Sequence, residues 1–391
     1  MTHLIQSATV PREGGRIEMV LPSLVPGGQE MIVVRLSLAL REAGFSVGAT
    51  CTEMEGPLAD RMRADGFDVA LAPAPGLKSN VRADALVRRF TARRPDVMHV
   101  HSGVWLKAAR AARMAGVPCV VHTIHGLLDH EPWHSAMFKR FAARHTDTIV
   151  AVSEPLRHHL VDDVGVDAAK VTVILNGVDT MHFHPGGDRA ALRARLGFAQ
   201  DGPVIGHVAR LAAIKNQTLL LDAFANIVRV RPSAALVIVG DGDQRPRLES
   251  RIAELGISGA VRLVGEVADA APIYRDFDVF TLTSNNEGTS MSLLEAMASG
   301  VAVVATSVGG SPALLSHGDC GMLVPPADVD ALTRALLSLV DDVVRRERLG
   351  HAGRSHVEQA YSAAAMCRRY VEVYGFASAP TRTTGVVPCA E

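Results

Sequence analysis

The sequence predicts an α/β protein built from two doubly wound parallel sheets, and three observations carry that expectation. Short β-branched runs alternate with helix-period patterns along most of the chain, as at residues 17–21, 96–101 and 235–239. Runs that are apolar almost throughout are those of strands covered on both faces. The chain has 391 residues, more than one hydrophobic core usually serves. The stretch LTSNNEGTSMSLLEAMASGVAVVATSVGG, residues 282–310, reads as strand, polar loop, helix and strand. In open parallel sheets, ligands bind beyond the carboxyl ends of such strands.

The elements follow in order. Residues 1–15 read as a frayed start, 17–21 as a strand and 31–43 as a helix, with Pro26-Gly27-Gly28 between strand and helix. Glycines at a first strand-to-helix turn let backbone approach a phosphate or sugar, although this is not GxGxxG and a plain turn is the competing reading. Strands at 45–51 and 68–71 flank a helix at 57–65. A helix over 80–93 carries Arg82, Arg88, Arg89 and Arg93. Strand 96–101, helix 103–115, strand 118–123, helix 132–145, strand 147–152 and strand 171–175 complete the first half. Together with Lys139, Arg140 and Arg144, the arginine-rich helix offers a basic face, either merely solvated or suited to anionic lipid headgroups.

The second half begins after a linker with strand 204–208, helix 218–230, strand 235–239, helix 247–255, strand 261–263 and a short helix at 270–275. Arg210 and Lys215 stand beyond a strand end and just before a helix. A guanidinium fork and a compact ammonium there suit a diphosphate, with ordinary surface charge as the alternative. Asp241-x-Asp243 resembles a divalent-metal pair but has no third ligand nearby. In the stretch from 282, Ser290 opens the helix, Gly300 stops it, and Glu287 and Glu295 stand eight residues apart facing the ligand edge. Ser311-Pro312 reads as an N-cap and first helical residue after Gly309-Gly310, glycines that would admit a phosphate. Helices at 328–341, 345–361 and 363–374 precede a Pro/Thr/Gly-rich tail read as disordered. The expected domains are 1–180, completed by the last helix at about 358–376, and 181–357, with 377–391 as tail.

Bulk composition excludes several classes. Net charge is −1, and the first 180 residues carry 20 Lys+Arg against 19 Asp+Glu. With aromatics at 4%, neither the electrostatic footprint nor the stacking surface of a nucleic-acid binder is present. Five scattered cysteines suit a reducing compartment and supply no metal cluster. The amino terminus lacks a basic segment followed by an apolar core, and no 18-residue apolar run occurs. A cytoplasmic protein is therefore expected, with peripheral contact at the inner face of a membrane left open. Histidines crowd residues 99–145, at 99, 101, 122, 125, 130, 134 and 145, without the spacing of a zinc site. Among them His125, followed by Gly126 at a strand's carboxyl end, is placed to meet a substrate hydroxyl.

Taken together these pieces resemble the retaining, GT-B-fold glycosyltransferases of family 4 (group 1). The resemblance spans about 17–375 and rests most on EGTSMSLLEAMASG with its Glu287 and Glu295, followed by VGGSP. It is joined by PGGQE at 26–30, HG at 125–126, NGVDTMHF at 176–183, ARLAAIKN at 209–216 and LVPPAD at 323–328. The resemblance implies two Rossmann-like domains facing across a cleft, and a metal-independent site for a nucleoside-diphosphate sugar in the second. It implies no cofactor and no metal. By resemblance Arg210 and Lys215 hold the diphosphate, Glu295 the ribose and Glu287 the donor hexose. The amides of Gly288, Thr289, Ser290, Met291 and Ser292 line sugar and phosphates. Gly28 lies by the distal phosphate, Val267 by the base, and His125 touches the transferred sugar. Two departures stand out: Thr289-Ser290 replaces a common aromatic-proline pair, and Ala313 a common glutamate.

The implied activity is transfer of a hexose, from a UDP-sugar first and GDP-mannose second, to a glycan, lipid-linked or small-molecule acceptor in polysaccharide biosynthesis. Charge growing on the departing diphosphate calls for preorganised cations and helix N–H groups. No side chain is an evident sugar nucleophile, so retention points to attack from the leaving-group face. A nucleotide-sugar 2-epimerase of the same fold and a non-catalytic sugar-nucleotide-binding protein are the alternatives. A dinucleotide-dependent oxidoreductase would want GxGxxG where residues 21–30 lack it.

Overall fold

The structure, a computed structural model, describes residues 14–126, 135–187, 189–198 and 202–376. The expectations for the amino-terminal residues before 14, for the tail after 376, and for His130 and His134 lie outside the described residues. The chain divides into two compact units, one running to Ile174 and resuming at Met366, the other spanning Leu175–Ala365.

In the first unit the strands are β1 (Arg16–Leu21), β2 (Ser46–Cys51), β3 (Asp68–Leu71), β4 (Val97–His101), β5 (Cys119–Ile124), β6 (Thr148–Ala151) and β7 (Val171–Val173). They stand in the order β3-β2-β1-β4-β5-β6-β7, and the pairings are parallel. The second unit has β8 (Val204–Val208), β9 (Ala235–Val239), β10 (Val261–Gly265), β11 (Val279–Leu282), β12 (Ala302–Thr306) and β13 (Met322–Val324). Their order is β10-β9-β8-β11-β12-β13, also parallel. Each unit is thus a Rossmann-like α/β domain of the kind predicted. The direction of strand succession reverses between β1 and β4, and again between β8 and β11. Those switch points are where open α/β sheets form ligand crevices at their carboxyl ends.

Burial explains the runs. All five residues of β9 and of β12 are buried, because helices cover both faces. Helix Gln217–Val230 turns Leu220, Leu221, Phe224 and Ile227 inward against β8 and β9 residues such as Ile205 and Leu236. Its apolar positions follow the 3.6-residue period that the sequence shows.

Backbone pairing ties the start of the second unit to its end. Val178 N donates to Tyr361 O, and Ala363 N donates to Val178 O, both at 2.8 Å. A Cβ at Gly177 would come within 2.8 Å of Ser362 O, so the Asn-Gly pair permits this approach. The chain returns to the first unit within helix Ala363–Val373.

Two local expectations are corrected. The helix expected over 80–93 is a 3-10 turn, Leu77–Asn80, followed by helix Asp84–Arg93. Its arginines do not form one basic face. Arg89 and Arg93 turn inward onto Glu18, a fully buried carboxylate of β1, and onto Asp68 of β3. A buried carboxylate needs opposite charge close by, and Gly48 makes room for it: a Cβ there would lie 2.6 Å from the Arg93 guanidinium. Burial still raises the Glu18 carboxyl above its ordinary range, with Arg89, Thr50 and Arg93 opposing. The second correction concerns Ser311. It is the first residue of helix Ser311–Leu314 rather than its cap; Gly310 holds the cap position without a side-chain bond, and Ser311 Oγ is buried with no hydrogen-bond partner among the described residues.

Candidate active site

The loops that leave β8 and β11 brace one another. After Val208 the chain passes Arg210, makes the 3-10 turn Ala213–Lys215 and enters helix Gln217–Val230. Asn216 joins turn and helix in the left-handed region, φ 47°, a conformation asparagine tolerates better than most residues. Its Oδ1 accepts from Leu219 N at 3.4 Å as the helix cap, while its Nδ2 donates to Asn285 Oδ1 at 3.0 Å. Asn285 N donates to Ile214 O at 2.8 Å, and Thr283 Oγ1 to Lys215 O at 3.1 Å.

That bracing brings Lys215 and Glu287 together. Lys215 Nζ lies 2.5 Å from Glu287 Oε1, and Ser284 Oγ donates to the same oxygen at 2.6 Å. The Glu287 side chain is 8% exposed and that of Lys215 23%, so the pair is shielded more than a surface salt bridge. An ammonium has three donors, and only one is needed for this pair. Gly309 and Gly310 hold the Glu287 loop from behind. A Cβ on Gly309, φ +53°, would fall 1.7 Å from Glu287 O, and one on Gly310 would fall 2.3 Å from Gly288 O. Gly310 N donates to Glu287 O at 3.1 Å. Both glycines, expected from the sequence to admit a phosphate, stand where the Glu287–Gly288 backbone passes close behind.

Ser290 caps helix Met291–Ala298, its Oγ accepting from Leu293 N at 3.4 Å and lying 3.2 Å from Ser292 Oγ. The first-turn N–H groups of that helix lack intrahelical partners and favour negative charge. Gly288 is exposed and Thr289 half-buried. Glu295, on the same helix, accepts from Tyr274 OH at 3.2 Å. Val267 is half-buried against the core that includes Leu293. Arg210 is exposed, and no described residue bonds its guanidinium. Its backbone is fixed by Gln217 Nε2, which donates to Arg210 O at 3.0 Å. Gly240 supports the preceding residue, since a Cβ there would meet Ala209 O at 2.1 Å.

Of the expected site residues, Arg210, Lys215, Val267, Gly288, Thr289, Ser290, Met291, Ser292, Glu287 and Glu295 belong to the second unit, and Lys215 and Glu287 bond directly. Gly28 and His125 belong to the first unit, beyond the carboxyl ends of β1 and β5. Gly28 is the first residue of helix Gly28–Glu42, exposed, with nothing within 4 Å of where a Cβ would stand. His125 Nε2 lies 3.0 Å from His101 Nδ1. Burial pushes the His125 imidazole down to about 4 and lowers His101 well below its ordinary value, neighbouring histidines adding to the effect. His125 also borders a cavity of about 400 Å³ with Trp105, Leu106, His122, Phe138 and Lys139. A cavity of about 290 Å³ near Ala235 lies at the opposite, amino end of the second sheet.

Among the described residues, no group of three or more His, Cys, Asp or Glu could hold a metal ion. Asp241 is engaged locally: Oδ1 accepts from Gly242 N at 2.7 Å, and Oδ2 pairs with Arg245 at 3.2 Å. The sequence reading missed Ser284, which bonds Glu287, and His101, which bonds His125. The signal for His101 was present in the alternation of His99 and His101 along an otherwise apolar strand.

Comparison with known proteins gives these features their context. Residues 26–182 match the description Glycosyltransferase Family 4, and residues 202–342 match Glycosyl transferases group 1. A D-inositol 3-phosphate glycosyltransferase of Kineococcus radiotolerans is 32% identical, over 89% of this chain and 90% of its own length. A UDP-Gal:alpha-D-GlcNAc-diphosphoundecaprenol alpha-1,3-galactosyltransferase of Escherichia coli is 28% identical, over 83% of this chain and 87% of its own. The crystal structure of Anabaena HepE in complex with UDP-glucose superposes with a TM-score of 0.75 at 23% identity, covering 92% of this chain and 99% of that one. The last likeness shows the fold, and the sequence matches show the lineage. This chain belongs to the group 1, family 4 glycosyltransferases of GT-B fold, enzymes that move a sugar from a nucleotide-sugar donor to an acceptor.

Proposed function

We propose that this chain is a retaining hexosyltransferase using a nucleoside-diphosphate sugar, a UDP-hexose first and GDP-mannose second, with a hydroxyl of a glycan, preferably lipid-linked, as acceptor. The observation that carries the reading is the Lys215–Glu287 pair at a switch point, next to the amino end of the Ser290-capped helix. In the reaction the bond between anomeric carbon and β-phosphate oxygen breaks, and charge collects on the leaving diphosphate. Lys215, Arg210 and the amides after Ser290 stabilise that charge more as it grows than before. Glu287 accepts hydrogen bonds from the hexose, Glu295 from the ribose, and Val267 packs by the base. Gly28 offers backbone to the distal phosphate and His125 a donor to the hexose. The acceptor oxygen forms its bond to carbon on the face the diphosphate leaves and gives its proton to the departing phosphate oxygen. Configuration is thereby retained without a covalent adduct. The E. coli relative's use of UDP-Gal and of a diphosphoundecaprenol-linked sugar supports both the donor order and the acceptor class.

A specific surface supports a peripheral, membrane-facing acceptor. On helix Ser135–Ala143, Met137 and Phe141 are exposed, and Arg110 and Arg144 lie 5.9 and 6.0 Å from the Phe141 ring centroid. Apolar tips among cations suit an anionic lipid surface. No described helix is long and apolar enough to cross a membrane. Sedimentation with anionic but not zwitterionic vesicles, weakened by Phe141→Ser, is the expected result.

The direct test is a thermal-shift screen across UDP-, GDP- and ADP-sugars, followed by turnover with and without acceptor. A ligand that binds only the folded chain raises its melting point. Acceptor-dependent release of nucleoside diphosphate, with the donor's anomeric configuration kept in the product, is expected. Conversion of donor alone into its 2-epimer overturns the reading in favour of an epimerase. A glycosyl adduct trapped on Glu287 overturns the front-face step.

A further inference from the structure

We infer that His101 is a positioning residue for His125, fixing which ring nitrogen of His125 faces the transferred sugar. The inference deepens the reading of His125 given above and rests on it. The bond between His101 Nδ1 and His125 Nε2, 3.0 Å long, occupies one nitrogen of each ring. A neutral imidazole has one N–H and one bare nitrogen, so one ring must donate. His101 Nε2 is buried and has no hydrogen-bond partner among the described residues. If His125 donated, His101 would carry its proton on that nitrogen, leaving a buried N–H with no acceptor. Orphaned buried donors are rarer than under-used acceptors. His101 therefore carries its proton on Nδ1 and donates to His125 Nε2, and His125 presents Nδ1–H as a donor.

The ring of His101 is itself held. His99 lies against it with centroids 4.0 Å apart. His99 Nε2 is 2.7 Å from Thr123 Oγ1, and His99 Nδ1 is 2.7 Å from Tyr374 OH. Thr123 Oγ1 is 3.0 Å from Tyr370 OH. His99, His101, Thr123 and both tyrosines are buried. Strands β4 and β5 and the returning carboxyl-terminal segment thus form one polar chain that ends at His125. Burial keeps the histidines neutral near pH 7, so the chain orients the ring rather than charging it. A second polar group that sets the tautomer of a functional histidine is a common arrangement.

The test is nitrogen NMR of the full chain labelled with 15N-histidine at pH 7.5, with the His125 signals identified by their loss in His125→Gln. The wild-type chain is expected to show His125 protonated on Nδ1. His101→Phe keeps a ring but loses the donor, and should move His125 toward the Nε2-protonated form. His101→Asn, whose amide N–H stands near the lost Nδ1–H, should restore it. In the transfer assay His101→Phe should lower kcat by about 10- to 100-fold with donor KM little changed, and His101→Asn should recover part of the loss. If the Phe variant does not fold, His101→Ser, too short to reach His125, takes its place. An unchanged His125 tautomer in either donor-lacking variant overturns the inference. The expected tautomers in a chain that transfers from no donor uphold the positioning bond and overturn the transferase reading instead.

Discussion

The two Rossmann-like units keep their polar chemistry in different places. The first buries it within the sheet: Glu18 on β1, His99 and His101 on β4 and His122 on β5 are all at most 2% exposed. The second has mostly apolar strand interiors, such as ALVIV in β9, VFTL in β11 and AVVAT in β12; its buried polar strand residues include His207 on β8, Thr281 and Thr306, and Arg262 on β10 is half-buried. It places Arg210, Lys215, Glu287 and Glu295 on loops and a helix beyond strand ends. Charged groups inside a sheet need designed partners and cost stability when those are lost, whereas groups at strand ends meet ligands at little cost to the fold. The difference teaches that the second unit sets its charged groups at strand ends, where a ligand could reach them, while the first holds its own inside the sheet against fixed partners.

The largest expected effect falls on the loops. Glu287→Gln removes the charge that meets Lys215 and should lower kcat/KM by about 100-fold or more, the scale of losing one aligned electrostatic group. Its thermal midpoint should stay near that of the wild type; a matching collapse of the fold would make Glu287 a structural residue. The counterpart in the first unit is Glu18→Ala, which strands Arg89 and Arg93 without their buried partner. A loss of about 3–5 kcal/mol in urea unfolding is expected. A loss below about 1 kcal/mol would place this network among ordinary surface pairs.

Acidification should separate the units. Burial pushes His125 and His207 down to about 4, and His99, His101 and His122 well below their ordinary value. The unfolded chain binds protons at about pH 6.5, so between there and about 4 it holds more protons than the folded chain. Stability therefore falls as pH falls through that window. For the fully buried His207 alone the shift corresponds to about 3 kcal/mol. Four of these five histidines lie in the first unit, so hydrogen exchange at pH 5 should open it before the second. Opening in the reverse order would contradict the contrast. The smallest effect is Tyr274→Phe, which removes the 3.2 Å bond to Glu295. Nucleotide affinity should weaken by about 2- to 5-fold, one ordinary hydrogen bond.

The same contrast decides what was legible in the sequence. The strand periodicity gave both sheets, because strands covered on two faces are written as contiguous apolar runs. The second unit's candidate residues could be picked out because they lie close in sequence: Glu287, Ser290 and Glu295 fall within nine residues, and Arg210 and Lys215 within six. The first unit's partners are remote. Glu18 meets Arg93, His101 meets His125, and His99 meets Tyr374, pairs brought together by strand order rather than by spacing. The inward turn of Arg89 and Arg93 was invisible for that reason, since an arginine on a helix gives no sign of a carboxylate on a distant strand. The misread Ser311 cap shows a related limit: a Ser-Pro pair signals a helix start, but the preceding Gly310 took the cap position.

The central claim is that Lys215 of the second unit holds the donor diphosphate. Calorimetric titration of UDP into the wild type and Lys215→Ala tests it most directly, because it needs neither sugar nor acceptor. The account predicts UDP binding that is weakened by about 10-fold or more on losing a charge-assisted contact, with the melting temperature of the free chain little altered. Equal UDP affinity in the two proteins would contradict it.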